Sequence, residues 1–342
     1  MADQKLPVVA EHHALALPAE LVEAAREYAR ASHALRTQET YARWWQDFIT
    51  WCAGKGVPSL PASPESVAVW MTALAHGEGD RKPLARASIN QGLSAVIFYH
   101  RDGGYALDRK HRAIAKMWAG ISRTKAATET VRKAKPLLAV DLRDIIEKLR
   151  PDRPIDSRDA ALLSLGWAGA LRRSELVGLD WARLGEGTGF VAIDDRGIVI
   201  TLKTSKASQD AAEAIVIPKE DMPAACRALE AWAAFASLQA GQPMFRPIDQ
   251  HGTIGESRLS DRSVSEIVKT RMRRLMHSRG RTKKDARDAV ALFSGHSMRA
   301  GYATTAAAKD LPTYRIQQHT GTSRPRWSTG TFARPINGVR AG

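Results

Sequence analysis

The chain has 342 residues, of which 51 are Lys or Arg and 36 Asp or Glu, giving a net charge of +15 at neutral pH, and 44% are hydrophobic. That length suggests two domains, the hydrophobic share excludes a basic disordered tail, and the charge favours an acidic polymer or surface as partner. No run approaches the length of a membrane span, and the opening MADQKLPVVAEHH lacks the basic-then-apolar order of a secretory signal, so a cytoplasmic, nucleoid-associated protein with no membrane contact is expected. Residues 1–18 show no sustained period and read as a flexible terminus, and PAELVEAAREYARAS follows as a helix. In LRTQETYARWWQDFITWCAGKG, Thr37 is placed to cap a helix that Gly54 and Gly56 end, with Tyr41, Trp45, Phe48 and Cys52 as one apolar stripe. SPESVAVWMTALAH carries Ser63, Pro64 and Glu65 as cap, first-turn and capping-box residues. Helices over about 85–99 and DRKHRAIAKMWAGISR complete a small bundle over residues 19–122. Cys52 and Cys226, the two cysteines, are expected as buried thiols and not as a disulfide or metal site.

Residues 123–135, RTKAATETVRKAK, hold five basic residues and no apolar period, and read as a linker to a second domain over 136–335, with 336–342 as a short tail. In that domain DSRDAALLSLGWAGALRRSELVGLDWARLG reads as helix, glycine turn, helix. GFVAIDDRGIVITLKTSKASQDAAEAIVIP reads as three short strands with DDRG as the first turn. CRALEAWAAFASLQAG and LSDRSVSEIVKTRMRRLMHS are helices, the second with Asp261 as a cap. Residues 269–287 hold nine basic residues and are read as a phosphate-facing patch. The fold class is therefore mainly α with a small β-sheet.

Three separated motifs carry the chemistry. GALRRSEL places Arg172 and Glu175 three apart, the strand-connecting loop holds Lys203 and Lys206, and LFSGHSMR places His296 and Arg299 on one helical face. Rigid guanidinium forks at Arg172 and Arg299 suit two oxygens of one phosphate. In this order the motifs resemble the catalytic domain of the tyrosine recombinase (phage integrase) family, whose members cut and rejoin DNA through a phosphotyrosine link. The resemblance implies a helical, SAM-like core-binding domain at the N-terminus and an α+β tyrosine-recombinase catalytic-like domain after it. It further implies Lys206 as general acid with Lys203 as its rival, His296 as a second donor or base, and Glu175 as the residue that orients its neighbours. Tyr302 and Tyr314 read as packing residues, since the family places its nucleophile farther along the chain.

Beyond Thr320 and Gly321 the pattern departs from the family: Thr322 stands where the family has histidine or tryptophan, and Phe332 stands at the best match to the tyrosine. A phenyl ring cannot form a phosphoryl ester, and the hydroxyls of Ser328, Thr329 and Thr331 would need a base. The tail, with proline and glycine, is poor helix material for an exchange between protomers. The expectation is a pseudo-enzyme: a sequence-specific double-stranded DNA-binding protein without strand cleavage, acting as a transcriptional repressor. Its remnant phosphate pocket would hold Arg172, Glu175, Lys206, His296, Arg299, Thr322 and Phe332. The alternatives are an active site-specific recombinase with an atypical nucleophile or a catalytic partner, and an architectural accessory factor. DNA contacts are expected from Arg86, Ser88, Asn90 and Gln91, from Arg132, Lys133 and Lys135 in the linker, and from Lys203, Lys269, Arg271, Arg273 and Arg274. No cofactor or metal is expected, and a homodimer on inverted-repeat sites is in keeping with the family.

Overall fold

A computed structural model describes residues 20–21, 35–129, 134–203 and 213–320. The expected flexible terminus, most of the helix after it, Arg132, Lys133, Lys206, Thr322, Phe332 and the tail lie outside the described residues. The chain divides into two compact units, Met1–Val131 and Arg132–Gly342.

The first unit packs α1 (Leu35–Lys55), α2 (Pro64–His76), α3 (Arg86–Asp102) and α4 (Arg112–Thr128). Helix α1 begins before Thr37, so that residue lies inside the helix and does not cap it. At α2 the hydroxyl of Ser63 accepts the N–H of Ser66 at 3.0 Å, and Pro64 fills the first turn, where its missing N–H costs nothing. Glu65 falls one position short of the capping-box place, which Ser66 occupies. The core gathers around Phe48, Trp70, Met71, Ile89 and Leu93, all fully buried, with the Trp44 ring edge-on to Trp70 at 6.2 Å. Of the expected stripe Phe48 and Cys52 are buried, whereas Tyr41 and Trp45 are half-buried and Trp44 turns inward. Gly92 permits this approach, because a Cβ there would lie 2.9 Å from Trp70 and 3.1 Å from Trp44. Burial pushes the Cys52 thiol up to about 11, which suits an inert core residue. Helix α4 runs on to Thr128, through the first half of the segment expected as linker, because TKAAT supplies good helix formers.

The second unit is built on α6 (Pro154–Ala168), a helix buried on all sides: from Asp156 to Ala168 only Ala160 escapes full burial. Around it stand α5 (Ala139–Glu147), α7 (Arg173–Val177), α8 (Pro223–Phe235), α9 (Asp261–Ser278), α10 (Lys283–Val290), α11 (His296–Ala308) and α12 (Thr313–Thr320). Ser260 caps α9 by accepting the Ser263 N–H at 3.2 Å, which leaves Asp261 as the first helical residue and not its cap. The sheet has four strands, β1 (Leu179–Trp181), β2 (Gly189–Asp194), β3 (Gly197–Leu202) and β4 (Glu213–Pro218), in the order β1-β2-β3-β4. β1 lies parallel to β2 and the other pairs are antiparallel, with Asp194 opposite Gly197 closing the expected turn. The strand β1 falls within a stretch expected as helix; Asp180 draws it into the sheet region. Its buried carboxylate accepts the N–H groups of Gly185 and Gly187, both at 2.8 Å, and pairs with Arg258 at 2.6 Å.

Charged groups along α6 and α9 are matched, as burial demands, while Arg246 Nε is buried without a partner among the described residues. Arg158 donates to Asp159 at 2.7 and 3.0 Å, and Arg271 reaches Asp156 and Asp159 at 2.6 Å each and the carbonyl of Ile155 at 3.2 Å. Among the described residues no helix is long and apolar enough to cross a membrane.

Candidate active site

The α6–α7 turn sets the first arginine. Ala170 adopts a positive φ of 46°, which turns the chain sharply between the two helices, and Arg172 follows as the residue before α7. Glu175 accepts both the backbone N–H of Arg172 at 2.7 Å and its Nη1 at 2.5 Å, so one carboxylate fixes the main chain and the fork together.

The second arginine comes from α11. Leu137 N–H donates to the Ser297 carbonyl at 2.8 Å, and Trp167 Nε1 donates to the Leu137 carbonyl at 2.9 Å, so the start of α11 is stitched to the segment entering α5 and to α6. Gly301 lets these backbones meet: a Cβ there would lie 2.6 Å from the Leu137 carbonyl carbon and 2.9 Å from Trp167 Nε1. Arg299, 6% exposed, donates from Nη1 to the carbonyl of Ala170 at 2.8 Å. The two arginine motifs, distant in sequence, thus share one turn.

His296 opens α11, at the positive end of the helix dipole, which favours an anion. Its backbone N–H donates to Ser294 Oγ at 3.2 Å. Partial burial, and then the charges of Arg299, Arg172 and Arg173, hold its ring below the ordinary histidine range. The ring therefore stands in the field of all three guanidinium groups, an arrangement suited to gripping a doubly oxygenated anion such as a phosphodiester. Arg173 is tied across to Ser265 Oγ at 3.2 Å, a contact the sequence motifs do not signal.

Lys203 is exposed at the end of β3, and Lys135 is exposed with its ammonium 6.0 Å from the Phe293 ring centre. Lys269 pairs with Glu266 at 3.2 Å, Arg273 is half-buried and Arg274 exposed. Arg271 departs from expectation: 4% exposed and held by Asp156 and Asp159, it is a core ion and not a DNA-facing one. In the first unit Arg86 holds Glu129 through its N–H at 2.9 Å and its Nε at 3.3 Å, and Ser88 is half-buried. Asn90 accepts from Arg109, and Gln91 accepts from Trp44 Nε1 at 3.3 Å. Both partners are donors only, which fixes each amide with its carbonyl oxygen toward the partner.

Sequence reasoning also missed His319, at the end of α12. Its Nε2 bonds the Ala168 carbonyl at 2.7 Å and its ring stacks on Tyr302 at 4.3 Å. Tyr302 is half-buried, and burial raises its pKa, as for a packed phenol; Tyr314, also expected to pack, is instead 59% exposed. No group of His, Cys, Asp and Glu among the described residues could hold a metal ion.

No family model matches the chain. It is, however, 32% identical over 294 residues to an integrase/recombinase XerD homolog of Selenomonas ruminantium, covering 84% of this chain and 79% of that one. The chain belongs to the tyrosine recombinase family. A tyrosine recombinase XerC of Xylella fastidiosa is 29% identical over 161 residues, about half of either chain (47% and 51%). Among solved structures, the Tn1549 transposon integrase in complex with transposon right end DNA shares the fold with a TM-score of 0.54 at 12% identity, over 89% of this chain and 91% of that one. A tyrosine-recombinase fold, mainly helical with a small sheet, is thus established. The relatives bear the names of enzymes, which overturns the expectation that this chain is none. The positions on which that expectation rests, Thr322 and Phe332, lie outside the described residues.

Proposed function

We propose that the protein is a site-specific recombinase that breaks and rejoins phosphodiesters of double-stranded DNA. The observation that carries this reading is the meeting of Arg172, His296 and Arg299 at one turn, in a chain whose relatives are recombinases. Arg172 and Arg299 grip the nonbridging oxygens and neutralise the charge that develops on them. His296, its ring held below the ordinary histidine range by partial desolvation and by its cationic neighbours, accepts a hydrogen bond or proton from the attacking hydroxyl. Glu175 holds Arg172 in register, and Lys206, or Lys203 in its place, protonates the leaving hydroxyl. Residues 315–342 include no tyrosine, so the attacking hydroxyl is drawn from Ser328, Thr329 or Thr331 or is supplied by a catalytic partner of different sequence.

Lys135, Lys203, Lys269, Arg273 and Arg274 supply backbone contacts in this reading, together with Arg132 and Lys133, while the Asn90 and Gln91 region of α3 contributes to base reading. Dimers on inverted repeats follow from the family geometry and are measured by the stoichiometry of the bound complex.

The test is a single-turnover reaction on duplexes that the protein itself selects from a random pool, carrying a nick that traps the cleaved state. A covalent protein–DNA product, lost in R172A, is expected, and peptide mapping of the adduct identifies the nucleophile. Selected sites bound without any covalent product would refute strand transfer. Transcripts that rise on deletion of the gene, from promoters the protein occupies, would then restore the repressor reading.

A further inference from the structure

Arg173 adjoins Arg172 in sequence, yet its side chain takes another course. Its Nη1 donates to Ser265 Oγ on α9 at 3.2 Å, and the same oxygen accepts the N–H of Gly295 at 3.2 Å. Ser265 is 8% exposed, so one buried hydroxyl joins the α7 arginine to the residue that immediately precedes α11. Gly295 is shaped to this contact. A Cβ there would fall on Cγ and Cδ of Arg173, with Val264 Cγ1 3.2 Å away, so the arginine stem lies directly over the glycine.

We propose that Arg173, tied to Ser265 and folded over Gly295, is a positioning residue that fixes the start of α11 and with it the place of the His296 ring beside Arg172 and Arg299. The inference deepens the strand-transfer reading of this pocket and rests on it. Two physical effects act together. Ser265 satisfies the Gly295 N–H at a helix start, where backbone donors lack helical partners, and so removes the freedom of the turn that carries His296. The guanidinium then adds its charge to a field already set by Arg299 on the same helix and by Arg172 on the α6–α7 turn, while Glu175 stays engaged with Arg172. A field of that sign favours the neutral imidazole, whose unprotonated nitrogen is what an acceptor of a hydroxyl proton requires. The doubled arginine thus divides the labour: Arg172 faces the anion and Arg173 braces the group between the arginines.

The experiment uses the full chain with 13C-labelled histidine and follows the His296 ring by NMR titration in the wild type, R173A, R173K and S265A. His296→Gln assigns the resonance and thermal unfolding checks the fold of each variant. Removing a positive neighbour eases protonation, so R173A should move the His296 midpoint to higher pH, R173K should stay near the wild type, and S265A, its arginine untied, should fall between them. In single-turnover cleavage R173A should lose about tenfold or more, as misplacement of a reacting group does. Its acid limb should move to higher pH, and R173K should recover most of the rate. An R173A protein with the wild-type titration and the wild-type pH profile would overturn the proposal, leaving Arg173 as surface charge. The two readings fail separately. A wild type that leaves DNA uncut while its His296 responds to R173A refutes strand transfer and supports the brace. A wild type that cuts DNA while R173A titrates unchanged refutes the brace alone.

Discussion

Replacing Gly301 by alanine sets two effects of known sign against each other. In an exposed helix the change stabilises by about 1 kcal/mol, because glycine is the poorer helix former. Here the added methyl would stand 2.6 Å from the carbonyl carbon of Leu137, closer still to its oxygen, and 2.9 Å from Trp167 Nε1. Ordinary contact at that carbon needs a retreat of at least ~0.8 Å, taking 3.4 Å as the lower limit of such contacts. Leu137 cannot retreat alone, since its N–H bonds the Ser297 carbonyl at 2.8 Å and its carbonyl accepts from Trp167 at 2.9 Å. Weakening two buried hydrogen bonds costs roughly 2–4 kcal/mol, which outweighs the propensity gain and leaves a net loss of about 2 kcal/mol. Urea unfolding of G301A, read beside G120A on α4, where a Cβ meets nothing within 4 Å, measures both signs in one scaffold. Because α11 carries His296 and Arg299, the same variant should also bind its selected DNA more weakly. A G301A protein as stable as the wild type, or more stable, would refute the close backbone approach on which the pocket is built.

Arg271→Ala leaves the buried Asp156 without its ion pair and Asp159 with Arg158 alone, and should cost about 3–5 kcal/mol in urea unfolding, whereas the exposed Arg274→Ala should leave stability within about 0.5 kcal/mol and lower DNA affinity instead. His100 is fully buried, its Nε2 accepting the Ala62 N–H at 2.9 Å and its Nδ1 bonding the Val96 carbonyl at 2.7 Å. Burial depresses its pKa, so the unfolded chain takes up a proton that the folded unit refuses. Stability of the helical unit should therefore fall as the pH drops below about 6.5, the ordinary histidine value. Amide exchange in α1–α3 reads this, and His100→Gln should flatten the dependence. With a net charge of +15, binding to the selected duplex should weaken steeply between 50 and about 200 mM salt, and Lys203→Ala should reduce the slope of log affinity against log salt by about one.

The helices were legible where period and punctuation agree: the Ser63–Pro64 start of α2 and the strands around DDRG stand where the sequence places them. Caps were legible to within a residue or two, since Ser260 and Asp261 offer the same chemistry and only the backbone decides between them. The strand β1 was not, because three residues carry no period and Asp180 finds its place through Arg258, far along the chain. Arg172, Glu175, His296 and Arg299 could be named from spacing, but charge alone could not separate Arg271 from Arg274. That distinction needs the carboxylates of α6, which the sequence hides in a helix buried on every side. For the same reason the tie between Arg173 and Ser265 has no signature: its two ends are 92 residues apart.

One bond has a bearing on how this pocket drifts in sequence. Arg299 is held by the carbonyl of Ala170, a group every amino acid possesses, at a backbone angle that few residues adopt. Selection at position 170 therefore acts on conformation as well as on the fit of a fully buried side chain. Glycine is expected to substitute freely there, asparagine would accept the angle but bury its amide, and valine or isoleucine, whose branched Cβ resists a positive φ, would displace the arginine without touching any residue of a recognisable motif.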